Sequence, residues 1–346
     1  LNKEATVKLV ITGLAGAGKT TIFEALARNL ASTGHKGEAR LAVIRVPDNR
    51  LETLTAMYQP KKTIAAQVEY VLPAASKDKK EADPWIGLRE ADALIQVVRN
   101  FTEAGQDPAD PLADLKTLDQ EFILSDLVQV EKRLERIGQE KARGRKTDPE
   151  EAALIEACRG HLEQEQPLRG FADLVKAPQL RGFALLSAKP RLVVFNNADE
   201  DAGLPALGED LAREACIVMR GKLEREIGQM DADEAAAFLA EFDISALAAD
   251  RVIRASYDIL GLISFFTVGP DEVRAWTIKK DTCAQDAAGA IHSDFKKGFI
   301  RAEVVAYDDL MAAGSYAEAR KQAKVRLEGK TYIVKDGDII TFRFNV

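Results

Sequence analysis

Residues 13–20 read Gly-Leu-Ala-Gly-Ala-Gly-Lys-Thr, which satisfies G-x-x-x-x-G-K-[ST], and no other stretch constrains the fold as tightly. The motif follows the apolar, β-branched run Val7 to Thr12 and leads at once into helix-forming TTIFEALARNLA. Strand, glycine loop and helix in that order predict an α/β architecture. The chemistry needs these residue types. Glycines let backbone amides curl around phosphate oxygens, and the helix behind them turns its positive end to the same point. Lys19 reaches the β- and γ-phosphates, and the Thr20 hydroxyl is suited to ligate Mg²⁺. The candidate phosphate-binding set is therefore Gly13, Gly16, Ala17, Gly18, Lys19, Thr20 and Thr21, with Thr20 also the candidate metal ligand. A plain glycine turn before a helix is the alternative, but it gives no reason for Lys19 and Thr20 to occur together.

Further apolar runs, LAVIRV from Leu41, VEYVL from Val68, ALIQVV from Ala93 and RLVVFN from Arg191, are separated by helical or polar stretches. Their alternation predicts a mostly parallel sheet. Between about 102 and 185 the pattern becomes charged helix, with Ile123, Leu127, Val130, Leu134 and Ile137 spaced four, three, four, three. That is a heptad seam. RGRKTDPEE interrupts it, with Thr147 and Glu150 as an expected capping box and Pro149 opening a new helix. An inserted α-helical coiled-coil hairpin is predicted, either a binding arm or a solvated elaboration. From about Gly261 the period becomes two, in LISFFTVG, VRAWTIKK and TYIVKDGDIITFRFNV. Pro270-Asp271 marks one turn, and Asp336-Gly337 is read as a hairpin. A small β-rich C-terminal domain is predicted there.

The 346 residues carry 55 acidic and 48 basic side chains, a net charge of −7. That balance excludes an indiscriminate nucleic-acid coat. Residues 261–346 hold 13 basic and 12 acidic residues, so the negative charge belongs to the earlier part of the chain and a locally basic face stays open. Cys158, Cys216 and Cys283, odd in number and widely spaced, make neither a disulfide framework nor a zinc site. No apolar stretch approaches a membrane span, and LNKEATVKLVITG does not read as a secretory signal. A cytoplasmic monomer without a membrane partner is expected.

Asn196-Asn197-Ala198-Asp199 follows the strand RLVVF. P-loop GTPases carry Asn-Lys-x-Asp at such a place, where the carboxylate accepts hydrogen bonds from guanine. Asn196 and Asp199 are in phase with that motif, and Asn197 stands where the lysine would cover the base. These three are the candidate base-binding residues. Asn and Asp are also ordinary turn residues, so the motif draws its force from its position after a P-loop.

With these residues in view, the chain resembles the YchF family of Obg-like ATPases, a branch of the translation-factor GTPases. FFTVGPDEVRAWTI, AIHSDFKKGFIRAEVVAYDDL and RLEGKTYIVKDGDIITFRFNV look like that family's TGS-type β-grasp domain, and ILSDLVQVEKRLERI and LLSAKPRLVVFNNADE match its hairpin and closing strand. The resemblance covers nearly the whole chain. It implies four segments: residues 1–101, the first part of a P-loop nucleotide-binding domain; 102–185, the hairpin insertion; 186–260, the second part of the P-loop domain; and 261–346, the TGS-type domain. It also implies ATP or GTP as ligand with slow hydrolysis, Mg²⁺, and association with ribosomes or RNA.

The departures bear on mechanism. Family members carry Asp-x-x-Gly after the strand that here begins at Val68. This chain has no aspartate between Glu69 and Lys77, and Pro73 removes an amide there. Lys36, beside His35, stands near the position of the family's switch threonine. The loop FTEAGQDPAD lacks the histidine often found there, Gly16 replaces an asparagine, and Asp199 replaces a glutamate associated with relaxed selection against adenine. Losing one such electrostatic group costs about 10²–10³ in rate. Two readings follow: a slow Mg²⁺-dependent ATPase or GTPase, or a nucleotide-bound module that does not hydrolyse. For the ribosome or RNA, Arg274, Lys296, Lys297 and Arg301 are the candidate contacts, supported by Lys279, Lys280, Lys330 and Arg343 with Phe295 and Phe299. A mixed solvated face fits the composition of this region equally well.

Overall fold

The computed structural model describes residues 7–28, 30, 38–74, 85–103, 105, 107–206, 208, 211, 214–241, 244 and 246–345. Along the chain come β1 (Lys8–Thr12), α1 (Lys19–Ala27), β2 (Arg40–Arg45), α2 (Asn49–Tyr58), β3 (Lys62–Ile64), β4 (Gln67–Leu72), α3 (Ile86–Arg89) and β5 (Ala93–Asn100). The hairpin helices α4 (Pro111–Ala142) and α5 (Pro149–Glu163) follow, then α6 (Ala172–Lys176), β6 (Arg191–Asn197), β7 (Ala215–Met219), α7 (Gly221–Ile227), α8 (Ala232–Glu241) and α9 (Ala248–Ile259). The last stretch holds β8 (Leu262–Val268), β9 (Glu272–Lys279), α10 (Ala284–Ile291), α11 (Ser293–Lys297), β10 (Phe299–Ala306), α12 (Tyr307–Ala313), α13 (Tyr316–Lys321), β11 (Arg326–Glu328) and β12 (Asp338–Phe344).

Two compact units divide the chain, one gathering Lys8–Ala42 and Tyr70–Val252, the other Val43–Glu69 and Ile253–Val346. In the first, β1, β5, β6 and β7 are parallel neighbours, with Val10 opposite Leu94, Ile95 opposite Leu192 and Phe195 opposite Val218. The full sheet order is β2-β4-β1-β5-β6-β7. β6 is buried along its whole length, as a strand covered on both faces must be, which is why its middle, Leu192 to Phe195, is continuously apolar rather than alternating. The C-terminal ends of β1, β5 and β6 lie side by side, the edge of an open α/β sheet where ligands bind.

The hairpin belongs to the same unit. Asp110 caps α4 by accepting from the Ala113 N–H at 3.0 Å, with Pro111 in the first turn. Ile123, Val130 and Ile137 of the heptad seam are buried, and Leu127 and Leu134 pack beside Ile155, Cys158 and Leu162 of α5. The capping expectation is corrected. Asp148, not Thr147, caps α5, its side chain accepting from the Glu150 N–H at 2.9 Å. Proline at position 149 donates no N–H, so the residue immediately before it is the one whose short carboxylate reaches the next free amide.

Charged groups fasten the hairpin to the sheet. Arg191 opens β6 with its side chain almost wholly buried and bonds Gln96 (2.8 Å), Asp119 of α4 (2.8 Å) and Glu214 (2.9 Å). Arg169 joins the same two carboxylates. Asp126 of α4, also buried, accepts from the Leu186 and Ser187 amides at 2.9 and 2.7 Å.

In the second unit the strands run β11-β10-β12-β8-β9-β3. β8 and β9 form the expected hairpin, with Val268 opposite Val273. α10 packs on one face over a core that includes Phe265, Trp276, Ile340 and Phe342. The Asp336-Gly337 hairpin is corrected. A turn is present, with Gly337 at φ +85°, but the preceding residues make only a single bridge, Ile333 to Cys283. β12 instead pairs with β10 and β8. The edge strand β3 comes from residues 62–64 and lies parallel to β9, a pairing across some 200 residues that local periodicity does not encode.

Candidate phosphate-binding site

β1 ends at Thr12, and the loop from Gly13 delivers the chain to α1, whose first residue is Lys19. Gly18 sits at the cap in the left-handed region, φ +87°, and a Cβ there would lie 2.2 Å from Asn196 Nδ2. Both the backbone angle and the close approach exclude a side chain. Ala17 is buried, and Gly16 faces open space.

The Lys19 ammonium donates to the carbonyl oxygens of Gly13 (2.8 Å) and Leu14 (2.7 Å) and so spans the mouth of its own loop. Burial pushes its pKa below the ordinary lysine value, because a desolvated cation with only neutral acceptors is destabilised. A phosphate group would supply the missing countercharge. The Thr20 side chain is exposed at the first turn of α1 and Thr21 is half-buried. No cluster of three or more His, Cys, Asp or Glu residues suited to a metal occurs among the described residues. P-loop NTPases hold Mg²⁺ with the loop hydroxyl and an aspartate beside the phosphates, and of those protein donors this loop offers the exposed Thr20 hydroxyl.

Asn196 completes the loop from behind. Its Nδ2 donates to the Ala17 carbonyl at 3.1 Å and its Oδ1 accepts from the Gly221 N–H at 3.2 Å. Asn197 is buried and turned inward, accepting from Asn100 Nδ2 (2.9 Å) and donating to the Gly203 carbonyl (2.8 Å). Only Asp199 of the three candidate base residues keeps an open edge. Its Oδ1 accepts from the Leu223 N–H at 3.1 Å, and Lys222 Nζ stands 3.8 Å from its Oδ2. Lys222, on α7, and Arg220, which donates to the Asp199 carbonyl at 3.3 Å, are cations at this corner that sequence spacing did not single out. Both lie over 20 residues from Asp199, and β7 was not among the expected strands.

Glu69 to Ala74 places β4 as expected, ending at Leu72 before Pro73. His35 and Lys36 lie outside the described residues, as do Ala75, Ser76, Lys77, Ala104 and Gln106. Arg274, Lys296, Lys297 and Arg301 all belong to the second unit, and the first two already have partners. Arg274 stacks its guanidinium over Trp276 at 3.8 Å. Lys296 is paired with Asp286 at 2.7 Å, Lys297 ends α11, and Arg301 lies opposite Arg343 on β10 and β12.

A glycine loop joining the central parallel strand to a helix, with a lysine folded over it, defines an α/β protein with the P-loop NTPase fold. The ribosome-binding ATPase YchF of Bacillus subtilis (strain 168) is 37% identical over 360 residues, covering 97% of this chain and 98% of that protein, and Obg-like ATPase 1 of Oryza sativa subsp. japonica is 34% identical over 371 residues, covering 98% and 92%. The chain belongs to the YchF family of Obg-like ATPases. The family model YchF-GTPase_C, described as a protein of unknown function (DUF933), matches residues 262–345. The solved structure of the Schizosaccharomyces pombe YchF GTPase matches with a TM-score of 0.83 at 28% identity, covering 98% of each chain.

Proposed function

We propose that this protein binds ATP or GTP with Mg²⁺ at residues 13–21 and associates with the ribosome or its RNA in the cytoplasm, hydrolysing the nucleotide slowly. The observation that carries the reading is Lys19, a half-buried cation bonded only to the carbonyls of its own glycine loop. Family membership supplies the class of partner, since the Bacillus relative is named a ribosome-binding ATPase. No described helix is long and apolar enough to cross a membrane. The four segments 1–101, 102–185, 186–260 and 261–346 are retained as the functional divisions, the last as a TGS-type domain.

In this reading the loop amides and Lys19 hold the β- and γ-phosphates, Thr20 holds Mg²⁺, and Asp199 meets the base edge. Bound Mg²⁺ would neutralise charge on the phosphates. Asn196 keeps the loop in place from the β6 side, and Asn197 stabilises the strand end rather than covering the base. Hydrolysis is slow because nothing at Tyr70 to Ser76 replaces the family's aspartate. The same feature favours the second reading, a bound nucleotide that is never turned over. Calorimetric titration with ATP and GTP, with and without Mg²⁺, tests the site; equal, Mg²⁺-independent affinities would overturn the roles of Thr20 and Asp199. Phosphate release at rates ordinary for the family would overturn slow hydrolysis, and undetectable release with tight binding would select the second reading.

A further inference from the structure

The turn between α4 and α5 is chemically unlike the helices it joins. Residues 141–147, Lys-Ala-Arg-Gly-Arg-Lys-Thr, hold four basic and no acidic residues. The stem is the reverse: residues 111–140 hold seven acidic and four basic, and 148–163 hold five acidic and one basic. Lys141, Arg143, Arg145 and Lys146 are all exposed. None of the four has an ion pair among the described residues, and the two acids that flank them are engaged elsewhere. Glu140 faces Arg133 at 3.6 Å, and Asp148 caps α5.

The turn is also built, not loose. Gly144 adopts φ +69° after the helix cap Arg143. The Gly144 N–H donates to the Lys141 carbonyl at 3.0 Å and the Arg145 N–H to the Glu140 carbonyl at 2.9 Å. These are the two bonds of a Schellman motif, and they fix the backbone that carries Arg143 and Arg145. Over its 32 residues α4 spans about 48 Å, so the cations stand one full helix length from its capped start.

We propose that this hairpin tip is an RNA-docking site that engages backbone phosphates through Lys141, Arg143, Arg145 and Lys146. The proposal rests on the ribosome-directed reading above and gives it a surface. Charge complementarity identifies the occupant. Four uncompensated cations on a rigid turn attract a polyphosphate, and the acidic stem repels it, so contact is confined to the tip. Two arginines provide bidentate forks for phosphate oxygens. Of the C-terminal candidates, Lys296 and Arg274 already have partners.

The test is binding of the full chain to a fluorescent ribosomal RNA fragment across a salt series, beside co-sedimentation with ribosomes. Each cation contributes about 0.7–0.9 to the slope of log K against log salt, so the quadruple alanine variant K141A/R143A/R145A/K146A is expected to flatten that slope by about 3. The swap K141R/R143K/R145K/K146R should keep it. ATP affinity should be the same in all three, which confirms a folded first unit. An unchanged slope in the alanine variant, with the parent chain binding RNA, overturns the tip and leaves the ribosome reading standing. Loss of ribosome co-sedimentation with the RNA slope intact also overturns it and assigns the tip to a ribosomal protein. If the parent chain binds neither RNA nor ribosomes, the ribosome reading itself fails.

Discussion

Asn196 of β6 and Ala17 of the phosphate loop are tied side chain to backbone, Nδ2 donating to the carbonyl oxygen at 3.1 Å. The same side chain receives the Gly221 N–H at 3.2 Å. One buried amide therefore aligns the glycine loop with the start of α7, beside Asp199. The first asparagine of the candidate base motif is thus bonded to the glycine loop.

Replacing Asn196 should damage nucleotide binding without removing any ligand contact. Asn196→Ala leaves a carbonyl and an amide unpaired, at a cost of about 1–3 kcal/mol for each group that stays buried. Asn196→Asp is expected to be worse, because it sets a carboxylate oxygen against the Ala17 carbonyl. The urea midpoint should fall in that order, with ATP affinity following. Parental affinity in both variants would show that the loop holds its shape without the tie.

Lys19 gives a pH test. Burial lowers its pKa in the free protein, and a bound phosphate must raise it again, so binding takes up a proton when pH lies between the two values. Affinity for ATP should weaken as pH rises through the lowered value of the free protein. Lys19→Met should bind at least tenfold more weakly, by about 1.4 kcal/mol, and lose this dependence. Calorimetry in buffers of different ionisation enthalpy measures the proton uptake directly, and its absence would contradict the assignment.

The parts legible in the sequence were those written in neighbouring residues. The P-loop, the seam from Ile123 to Ile137, and the β8–β9 turn each declare themselves within a few residues, because backbone geometry and period are local. What the sequence hid is non-local. β3 joins the second sheet through three residues whose partner, β9, is encoded 200 positions on. Asn197 reads as a base contact by position, yet Asn100 and Gly203, meeting only in the folded sheet, turn it inward. Thr147 lost the cap to Asp148 by one residue, a choice made by the proline that follows.

Arg191 should matter for stability more than for ligands. Its side chain is 2% exposed and meets Asp119 and Glu214 at once. Arg191→Met removes the guanidinium and leaves both acids with Arg169 alone. Breaking a buried pair in this way costs about 3–5 kcal/mol. Urea denaturation should show the loss, and Arg191→Lys should recover only part of it, since one ammonium cannot serve three acceptors in a plane. Stability unchanged in Arg191→Met would mean that the network is balanced by its own desolvation.

Asp126 carries the opposite pH signature from a paired surface carboxylate. Burial holds its pKa above the ordinary aspartate value, and the Leu186 and Ser187 amides and Arg89 offset this only in part. The folded state therefore retains the proton after the unfolded chain has released it. By linkage, the contribution of Asp126 to stability is fully present below the unfolded pKa and is lost as pH rises through the raised folded value. Asp126→Asn cannot titrate, so the difference between the parental and variant unfolding free energies should slope downward across that window and be flat on either side. Thermal or urea unfolding between about pH 3 and 8 brackets the window around an unperturbed aspartate near 3.9. A difference curve that rises with pH would mean the amides outweigh burial, making Asp126 an ionised anchor for the Leu186–Ser187 turn.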